Sequence, residues 1–380
     1  MWPRQLRRRA LLRARPWLLV AGTLCTLASA IPSLSHETLT TTVFFDREIV
    51  RILNKHCVMC HNEKGPSFPL ETYEQTWLAG RKMRSAVIGR HMPPWAAVPG
   101  YGDFANENSL TLREVQFVVS WVEGLGPRNG GTVFTNVANS DARREPIRAK
   151  WNTGPWNRGI PNLILPAEPV NVPRSTNNII RKVAVPTGLK SAQSIDSVEY
   201  LPGDPRSVRA VFFTVQETGQ WIGSWTPWFG SMQAPPNTAF RLPANAHIMA
   251  EVHLANAKND STENGQIGLY FSDGPTTNTI SDLTVPQGAV SLHNRFRSEV
   301  TIAKDTHVVA IRLDPSNAAR SVEVSEHLSN GQTRVLLFAK DFSADWPSPL
   351  IFKTPFLLRR GSVLTVTSYG SPIKVTLSRY

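Results

Sequence analysis

The chain has 380 residues, of which 41% are hydrophobic and 18% are charged, and its formal net charge is +12. This length allows two or three domains with packed cores. The basic residues beyond residue 30 are spread along the sequence, which excludes the clustered cationic face that a nucleic-acid partner requires. The 29 Pro and 24 Gly residues indicate many turns and much β structure.

Residues 1–30 are predicted to form a signal peptide. Six arginines precede an apolar run at residues 17–27, and Ala28-Ser29-Ala30 fits a cleavage site. The run is shorter than the ~20 residues of a membrane span, so membrane association is expected only through this segment left uncleaved. Cleavage removes six positive charges and leaves +6. We therefore expect the mature chain in the periplasm or outside the cell.

Residues 36–130 are predicted to form a small all-α domain. Apolar residues from Phe45 to Leu53 recur at helical spacing, with Asp46 as a possible N-cap. A second helix is expected over residues 71–89. A third begins with a capping box at Thr111 and Glu114. Its apolar face comprises Leu112, Val115, Val118, Val119, Val122 and Leu125. Residues 131–155 are expected to be a linker.

Three cysteines occur, and Cys25 lies inside the predicted signal. The mature chain keeps Cys57 and Cys60, followed at once by His61. Two thiols at this spacing can add to the two vinyl groups of one haem, with the adjacent histidine as proximal iron ligand. A disulfide or half a zinc site is the alternative, but zinc needs a second ligand pair. We predict one covalent haem c.

The distal iron ligand is predicted to be Met92. Pro93 holds the preceding residue in an extended conformation, so Met92 should project from a loop. His91, Met83 and His56 are the alternatives. Candidates for apolar walls around the haem are Phe68, Tyr73, Trp77, Trp95 and Trp121.

Four motifs over residues 43–130 carry a family resemblance. They are His56-Cys57-x-x-Cys60-His61, Met92-Pro93-Pro94-Trp95, Asn108-Ser109-Leu110-Thr111 and Trp121-Val122-x-Gly124. The segment resembles a bacterial cytochrome c domain of a type often fused to copper type II, ascorbate-dependent monooxygenase-like domains. The resemblance implies Met92 as the distal ligand.

Short apolar runs alternate with turn signals after residue 155, which predicts two all-β jelly-roll-like sandwiches at residues 156–284 and 285–380. Four stretches resemble the peptidylglycine and dopamine monooxygenase-like pair of domains. They are Val198–Pro205, Leu242–Ala246, Glu251–His253 and Ile267–Phe271.

The copper ligands that this resemblance implies are mostly replaced. Arg209 and Ala210 stand where the first copper site has a His-His pair, and only His253 keeps a ligand position. Asp314 and Ser316 stand where the second site has His-x-His, and the C-terminal methionine segment is missing. Beyond residue 130 the histidines are His247, His253, His293, His307 and His327, with no adjacent or His-x-His pair. Copper needs converging imidazoles, so we expect none.

The sequence therefore predicts an exported mono-haem electron carrier that meets a redox partner protein and has no catalytic side chains. Its β half would dock or scaffold the haem domain. The alternative is an active copper monooxygenase with a fused haem donor. A haem sensor with an open sixth site is a third hypothesis. A carbohydrate- or peptide-binding sandwich, suggested by Trp221, Trp225 and Trp228, is a fourth.

Overall fold

The computed structural model describes residues 41–129, 156–174, 176–256, 260–292, 294–314, 319–340, 346 and 348–380. The predicted signal peptide (1–30) and linker (131–155) lie outside these ranges. No helix within them is both long enough and apolar enough to cross a bilayer.

The described chain is mostly β-sheet with few helices. A π-helical turn at Phe45–Ile49 continues into helix α1 at Val50–His56, and helices α2 (Tyr73–Ile88) and α3 (Leu112–Glu123) follow. Thr72 with Gln75 and Thr111 with Glu114 form complete capping boxes at the starts of α2 and α3. The capping box predicted at Thr111 is therefore confirmed.

The predicted N-cap at Asp46 is wrong. The helical turn starts at Phe45 without any side-chain cap. The backbone N–H groups of Phe45 and Asp46 instead donate to the carbonyl oxygens of Pro127 and Arg128, at 3.0 and 2.9 Å. Carbonyl groups at the end of the helical region thus accept from the first N–H groups of the helical turn, which a side-chain cap would otherwise satisfy.

The apolar face of α3 is narrower than predicted. Val118 and Trp121 are buried in the helical core, whereas Leu112 is 75% exposed. Leu125, just beyond the helix, is 72% exposed. Leu112 is the first residue of α3 and Leu125 lies beyond its end, so the predicted pattern covers more of the chain than the buried face does.

In the part of the chain that the structure describes, twenty strands follow the helices. They are β1 (Leu163–Pro166), β2 (Val170–Val172), β3 (Thr176–Pro186), β4 (Gln193–Leu201), β5 (Val208–Val215), β6 (Trp221–Trp225), β7 (Thr238–Leu242), β8 (His247–Asn256), β9 (Ser261–Glu263), β10 (Gln266–Phe271), β11 (Asn278–Thr279), β12 (Ser281–Val285), β13 (Ala289–Leu292), β14 (Arg295–Thr301), β15 (Thr306–Leu313), β16 (Ser321–His327), β17 (Thr333–Lys340), β18 (Leu350–Leu358), β19 (Val363–Tyr369) and β20 (Val375–Arg379).

The first β region has two facing sheets. One has the order β1-β10-β4-β7-β11, and the other has the order β3-β8-β5-β6. Alternate residues of their strands fill one buried core, including Val211, Phe213 and Phe240. The neighbours of those residues on each strand therefore face away from this core.

The second β region has sheets of order β12-β20-β15-β18 and β13-β14-β19-β16-β17 around a second core. Strand β12 pairs with β20 in register from Ser281↔Arg379 to Val285↔Val375. The predicted boundary between residues 284 and 285 thus falls inside β12, a strand of the second region.

The segment between α2 and α3 packs against the second β region. Ala97 forms an isolated bridge with Ala339, and Phe104 forms one with Phe352. Trp95, Ala97 and Phe104 are all buried in the core of the second region. The segment that connects α2 to α3 thereby completes the second β core, and the strands it bridges lie more than 200 residues further along the chain.

Candidate functional site

Cys57, Cys60 and His61 lie in one tight turn at the end of α1. The N–H of Cys57 donates to Leu53, and the N–H groups of Cys60 and His61 both donate to the carbonyl of Cys57, at 3.1 and 2.9 Å. All three residues are half-buried, and both cysteines are free thiols. The turn therefore holds two thiols and one imidazole in a single compact group.

The hydrogen bonding of His61 selects one ring nitrogen for ligation. Its Nδ1 lies 2.9 Å from the carbonyl oxygen of Phe68, and the rings of the two residues make an edge contact at 4.7 Å. A carbonyl oxygen can only accept, so Nδ1 carries the hydrogen and Nε2 carries the lone pair. An axial histidine is commonly oriented by such a bond.

Burial raises the pKa of both thiols to about 12, and in Cys57 the neighbouring Cys60 adds to the rise. The thiols therefore stay protonated at neutral pH.

The loop after the motif folds back onto it. A Cβ atom placed on Gly65 would lie 2.2 Å from the carbonyl oxygen of Cys60. Leu70 donates to the carbonyl of His61 at 2.8 Å. Only glycine permits this close approach. The same loop places the Phe68 carbonyl next to the His61 ring.

His56 is occupied by other contacts. The side chain is 8% exposed; its Nδ1 lies 3.0 Å from Asn108 Oδ1, and its Nε2 lies 3.3 Å from Glu114 Oε1. Both ring nitrogens thus face protein acceptors. The contact explains part of the Asn108-Ser109-Leu110-Thr111 motif, because Asn108 and the capping-box Glu114 together anchor the residue before Cys57.

The candidates for the distal position differ in their surroundings. Met92 is half-buried in the loop after α2, where its peptide bond to Pro93 is cis. His91 is exposed, and its ring lies against Gly89 at the end of α2. Met83 is 7% exposed inside the helical core. Met92 is the candidate that combines a loop position with partial burial.

The five predicted wall residues are in four places. Phe68 contacts His61. Trp121 is buried in the helical core, and Tyr73 packs against that core. Trp77 is 53% exposed, and Trp95 is buried in the second β core with its indole N–H unpaired. Of the five, Phe68 makes a ring contact with a residue of the Cys57–His61 turn.

The residues at the implied first copper site are adjacent on strands β5 and β8. Ala210 is paired with His253, and the register between β5 and β8 shifts at Arg209. Val252 and Leu254 point into the core, so His253 faces the opposite side of the sheet, yet it is only 1% exposed. Its Nε2 lies 3.0 Å from Glu251 Oε1, and its Nδ1 has no hydrogen-bond partner.

The remaining histidines of the β regions are dispersed. His247 Nδ1 contacts Glu217 at 2.7 Å, His307 stacks on Tyr380 at 5.0 Å, and His327 contacts Thr333 at 2.9 Å. His293 and Ser316 lie outside the described residues, and Asp314 pairs with Lys374 at 3.1 Å. Within the described ranges, no three His, Cys, Asp or Glu side chains are placed to hold a metal ion.

The charge of Arg209, at the implied first copper position, acts on the Cys57–His61 turn. It opposes the burial-driven rise in the pKa of Cys60. Burial lowers the pKa of His61, and Arg209 adds to that effect. About 150 residues separate Arg209 from this turn, and no local pattern in the sequence joins them.

The tryptophans considered for carbohydrate or peptide binding are mostly buried. Trp221 and Trp225 are 2% and 3% exposed in the first β core. Trp228 is half-buried and donates from Nε1 to the carbonyl of Asn106 at 3.3 Å. The three side chains form no exposed aromatic surface, so the suggested binding cluster is wrong. Trp221 and Trp225 are buried because β6 packs into the first core.

The Val198–Pro205 motif has a structural explanation. Glu263 is 2% exposed and accepts from the Tyr200 hydroxyl at 2.7 Å and from the backbone N–H groups of Gly203 and Asp204. Burial and the Glu263 charge raise the pKa of Tyr200. The hydrogen bonds to this buried carboxylate hold the turn after β4 in place.

A cleft of about 570 Å³ lies apart from these residues, between the first β region and β18. Its lining includes Asp196, Met232 and Lys353. Asp196 is held by a bidentate pair with Arg158 at 2.9 and 3.1 Å. The cleft contains none of the residues that the sequence singled out.

No family model matches the chain, and no curated protein matches it. Among solved structures, the major capsid protein P2 of bacteriophage PM2 aligns at 9% identity and a TM-score of 0.26, covering 56% of this chain and 96% of that one. Allantoicase from Saccharomyces cerevisiae aligns at 9% identity and a TM-score of 0.20, covering 56% and 81%. Similarities this low carry no argument about fold or function.

Proposed function

We propose that this protein is an exported single-haem electron carrier of the c type. Its small helical cytochrome domain would be followed by two jelly-roll-like β-sandwiches that dock or orient it toward a redox partner protein in the periplasm or outside the cell. The observation that carries the proposal is the Cys57–His61 turn, which holds two free thiols and an imidazole whose Nδ1 lies 2.9 Å from the Phe68 carbonyl oxygen, so that Nε2 carries the lone pair.

The residues of the chain have separate roles in this proposal. Cys57 and Cys60 would hold the haem through thioether bonds, and His61 would bind the iron through Nε2. Met92 would supply a second iron ligand through its sulfur, which raises the reduction potential. When bound, the haem would supply a one-electron iron couple. With His61 and Met92 both bound, electrons would pass by outer-sphere contact, and no substrate-binding side chain would be required.

Spectroelectrochemistry on the matured protein tests this function. We expect a low-spin ferrous spectrum that carbon monoxide leaves unchanged, and a one-electron titration. Met92→Ala should lower the potential and let carbon monoxide bind, because the sixth position loses its thioether. His91→Ala is the matched control and should behave like the wild type.

Two results would contradict the proposal. A wild-type ferrous spectrum that is high-spin and carbon monoxide-sensitive would indicate a sensor or ligand-binding protein. If His91→Ala changed the potential and the carbon monoxide response while Met92→Ala changed neither, the distal ligand would be His91. The expected potential would then be lower.

A further inference from the structure

The cleft between the first β region and β18 has the size and the position of a small-molecule site. Its volume is about 570 Å³, and small-molecule sites have volumes of ~300–1,000 Å³ and are frequent at the boundaries between folded units. Part of the lining comes from the loops that precede β7 and follow β10, and another part comes from β15 and β18. Both β regions therefore contribute to the cleft.

Hydrogen bonds hold the two loops in place without a ligand. The N–H of Ala234 donates to the carbonyl of Asp196, on β4, at 2.7 Å. The N–H groups of Thr277 and Asn278 both donate to the carbonyl of Asn237, at 3.1 and 3.2 Å. These bonds join the loops to each other and to a sheet, so a ligand need not order them when it binds.

The charged side chains of the lining are mostly paired within the protein. Asp196 forms its bidentate pair with Arg158, and Lys353 Nζ lies 2.6 Å from Asp103 Oδ1. Among the described residues that line the cleft, Lys353 is the one basic side chain, so an anionic ligand would find no unpaired cation there. Asp273 is exposed and has no hydrogen-bond or ion-pair partner in the described part of the chain. The lining thus offers one unpaired carboxylate to a ligand that donates hydrogen bonds.

The uncharged polar side chains of the lining both donate and accept hydrogen bonds. Gln233 and Asn237 carry exposed amides, and Ser272 and Thr276 carry hydroxyls. Ser272 Oγ is buried without a hydrogen-bond partner, which leaves one polar atom of the wall for a ligand to satisfy. Alcohol groups of a ligand also donate and accept, so they match this set of side chains.

Apolar groups line the same cleft. Its lining includes Ile351 together with four prolines, Pro235, Pro236, Pro275 and Pro355. Proline has no N–H donor and presents an aliphatic ring. A sugar ring has C–H groups on its faces and hydroxyls at its edge, so it contacts both kinds of surface at once. A purely apolar ligand would instead leave the amides and hydroxyls without partners, which is unfavourable.

We propose that this cleft binds a neutral saccharide. Asp273 accepts from two adjacent hydroxyls of the sugar, Gln233 and Asn237 bind further hydroxyls, and the prolines pack against the ring. The proposal is independent of the haem, because the lining contains no residue of the Cys57–His61 turn.

Gly274 provides a variant that obstructs the cleft without backbone strain. A Cβ atom on this lining residue would meet no atom within 4 Å, and its φ lies outside the left-handed region. G274W places a large ring at the cleft, and G274A adds a single methyl group at the same position as the matched control. Saturation-transfer NMR titrations of the matured full-length protein use four neutral disaccharides, cellobiose, maltose, lactose and diacetylchitobiose. Cyclohexylamine serves as the cationic probe.

We expect at least one disaccharide to bind the wild type and G274A equally and to lose its signal with G274W. D273A should weaken that binding by about tenfold, because it removes hydrogen bonds to a charged group. Failure of all four disaccharides to bind, or a signal unchanged in G274W, would overturn the proposal. Binding of cyclohexylamine without any saccharide would also overturn it and assign the cleft to an organic cation. If G274W does not fold, D273A decides, since its carboxylate has no protein partner to lose: an unchanged affinity would overturn the proposal.

Discussion

Glu114 belongs to the capping box of α3 and also contacts Lys55 and His56, just before the Cys57–His61 turn. Its Oε2 accepts from the backbone N–H and the hydroxyl of Thr111, at 2.8 and 2.9 Å. Its Oε1 lies 3.2 Å from Lys55 Nζ and 3.3 Å from His56 Nε2. Burial acts to raise the pKa of Glu114, but the bonds from Thr111, with Lys55 and His56, outweigh it and lower the pKa to about 2.

This depressed pKa predicts a pH-dependent contribution to stability. Glu114 ionises more readily in the folded state than in the unfolded state, so its contribution is complete above the ordinary pKa of 4.5 and is lost as the pH falls through about 2. Glu114→Gln should therefore lower the free energy of unfolding at pH 7 by about 1 kcal/mol, after allowance for solvent screening of a partly exposed group.

Denaturant titrations of the wild type and Glu114→Gln between pH 7 and pH 2 measure this effect. Glu123→Gln is the control, because Glu123 is on the same helix and pairs with Arg84 in a half-exposed contact. The difference between Glu114→Gln and the wild type should shrink toward pH 2. A difference that is constant over this range would show that the carboxylate charge plays no part.

The segment of residues 95–106 is the element that joins the helical region to both β regions. Asn106 is 3% exposed; its Nδ2 donates to Pro349 at 2.6 Å, and its Oδ1 accepts from the N–H of Ile351 at 3.0 Å. Its carbonyl accepts from Trp228. One buried side chain thereby pairs with the second β region, and its backbone pairs with the first.

Removal of this side chain should be costly. Asn106→Ala leaves the Pro349 carbonyl and the Ile351 N–H buried without their partner, which costs about 2 to 4 kcal/mol of unfolding free energy. Asn330→Ala, in an exposed turn, should change it by less than about 0.5 kcal/mol. Equal losses in the two variants, measured by denaturant unfolding, would mean that Asn106 is not a connecting residue.

Local patterns predicted the elements but not this connection. The capping box at Thr111 and the alternation of the β strands are encoded within a few residues, and both are found in the structure. Trp95 follows Met92 in the sequence and was grouped with the haem walls, yet its ring is in the second β core. Other residues of that core, such as Leu336 and Phe352, lie more than 200 residues away, and no periodicity encodes this packing.

The same limit applies to the candidate site. Cys57, Cys60 and His61 are contiguous, so spacing alone pointed to their chemistry. The Phe68 carbonyl that orients His61 is a backbone group, so the residue type at position 68 does not predict this hydrogen bond. The effect of Arg209 on the pKa of Cys60 and of His61 joins residues far apart in the sequence, which only the folded chain determines.

At the scale of the whole molecule, the described helical region and the two β regions form one contact network. Phe104 packs on Phe352 at 5.0 Å, and Trp228 and Arg209 bring the first β region to the same area. These contacts connect the helical region, where we propose the haem, to both β regions.

The central claim is that one haem is bound covalently through Cys57 and Cys60. A pyridine haemochrome assay on purified, matured protein, with iron and copper counted on the same sample, tests it most directly. We predict one c-type haem and one iron per chain, with no stoichiometric copper, and loss of the haem in the Cys57→Ala/Cys60→Ala double variant. A colourless protein, or one that carries two coppers per chain and oxidises a substrate with ascorbate, would contradict the account.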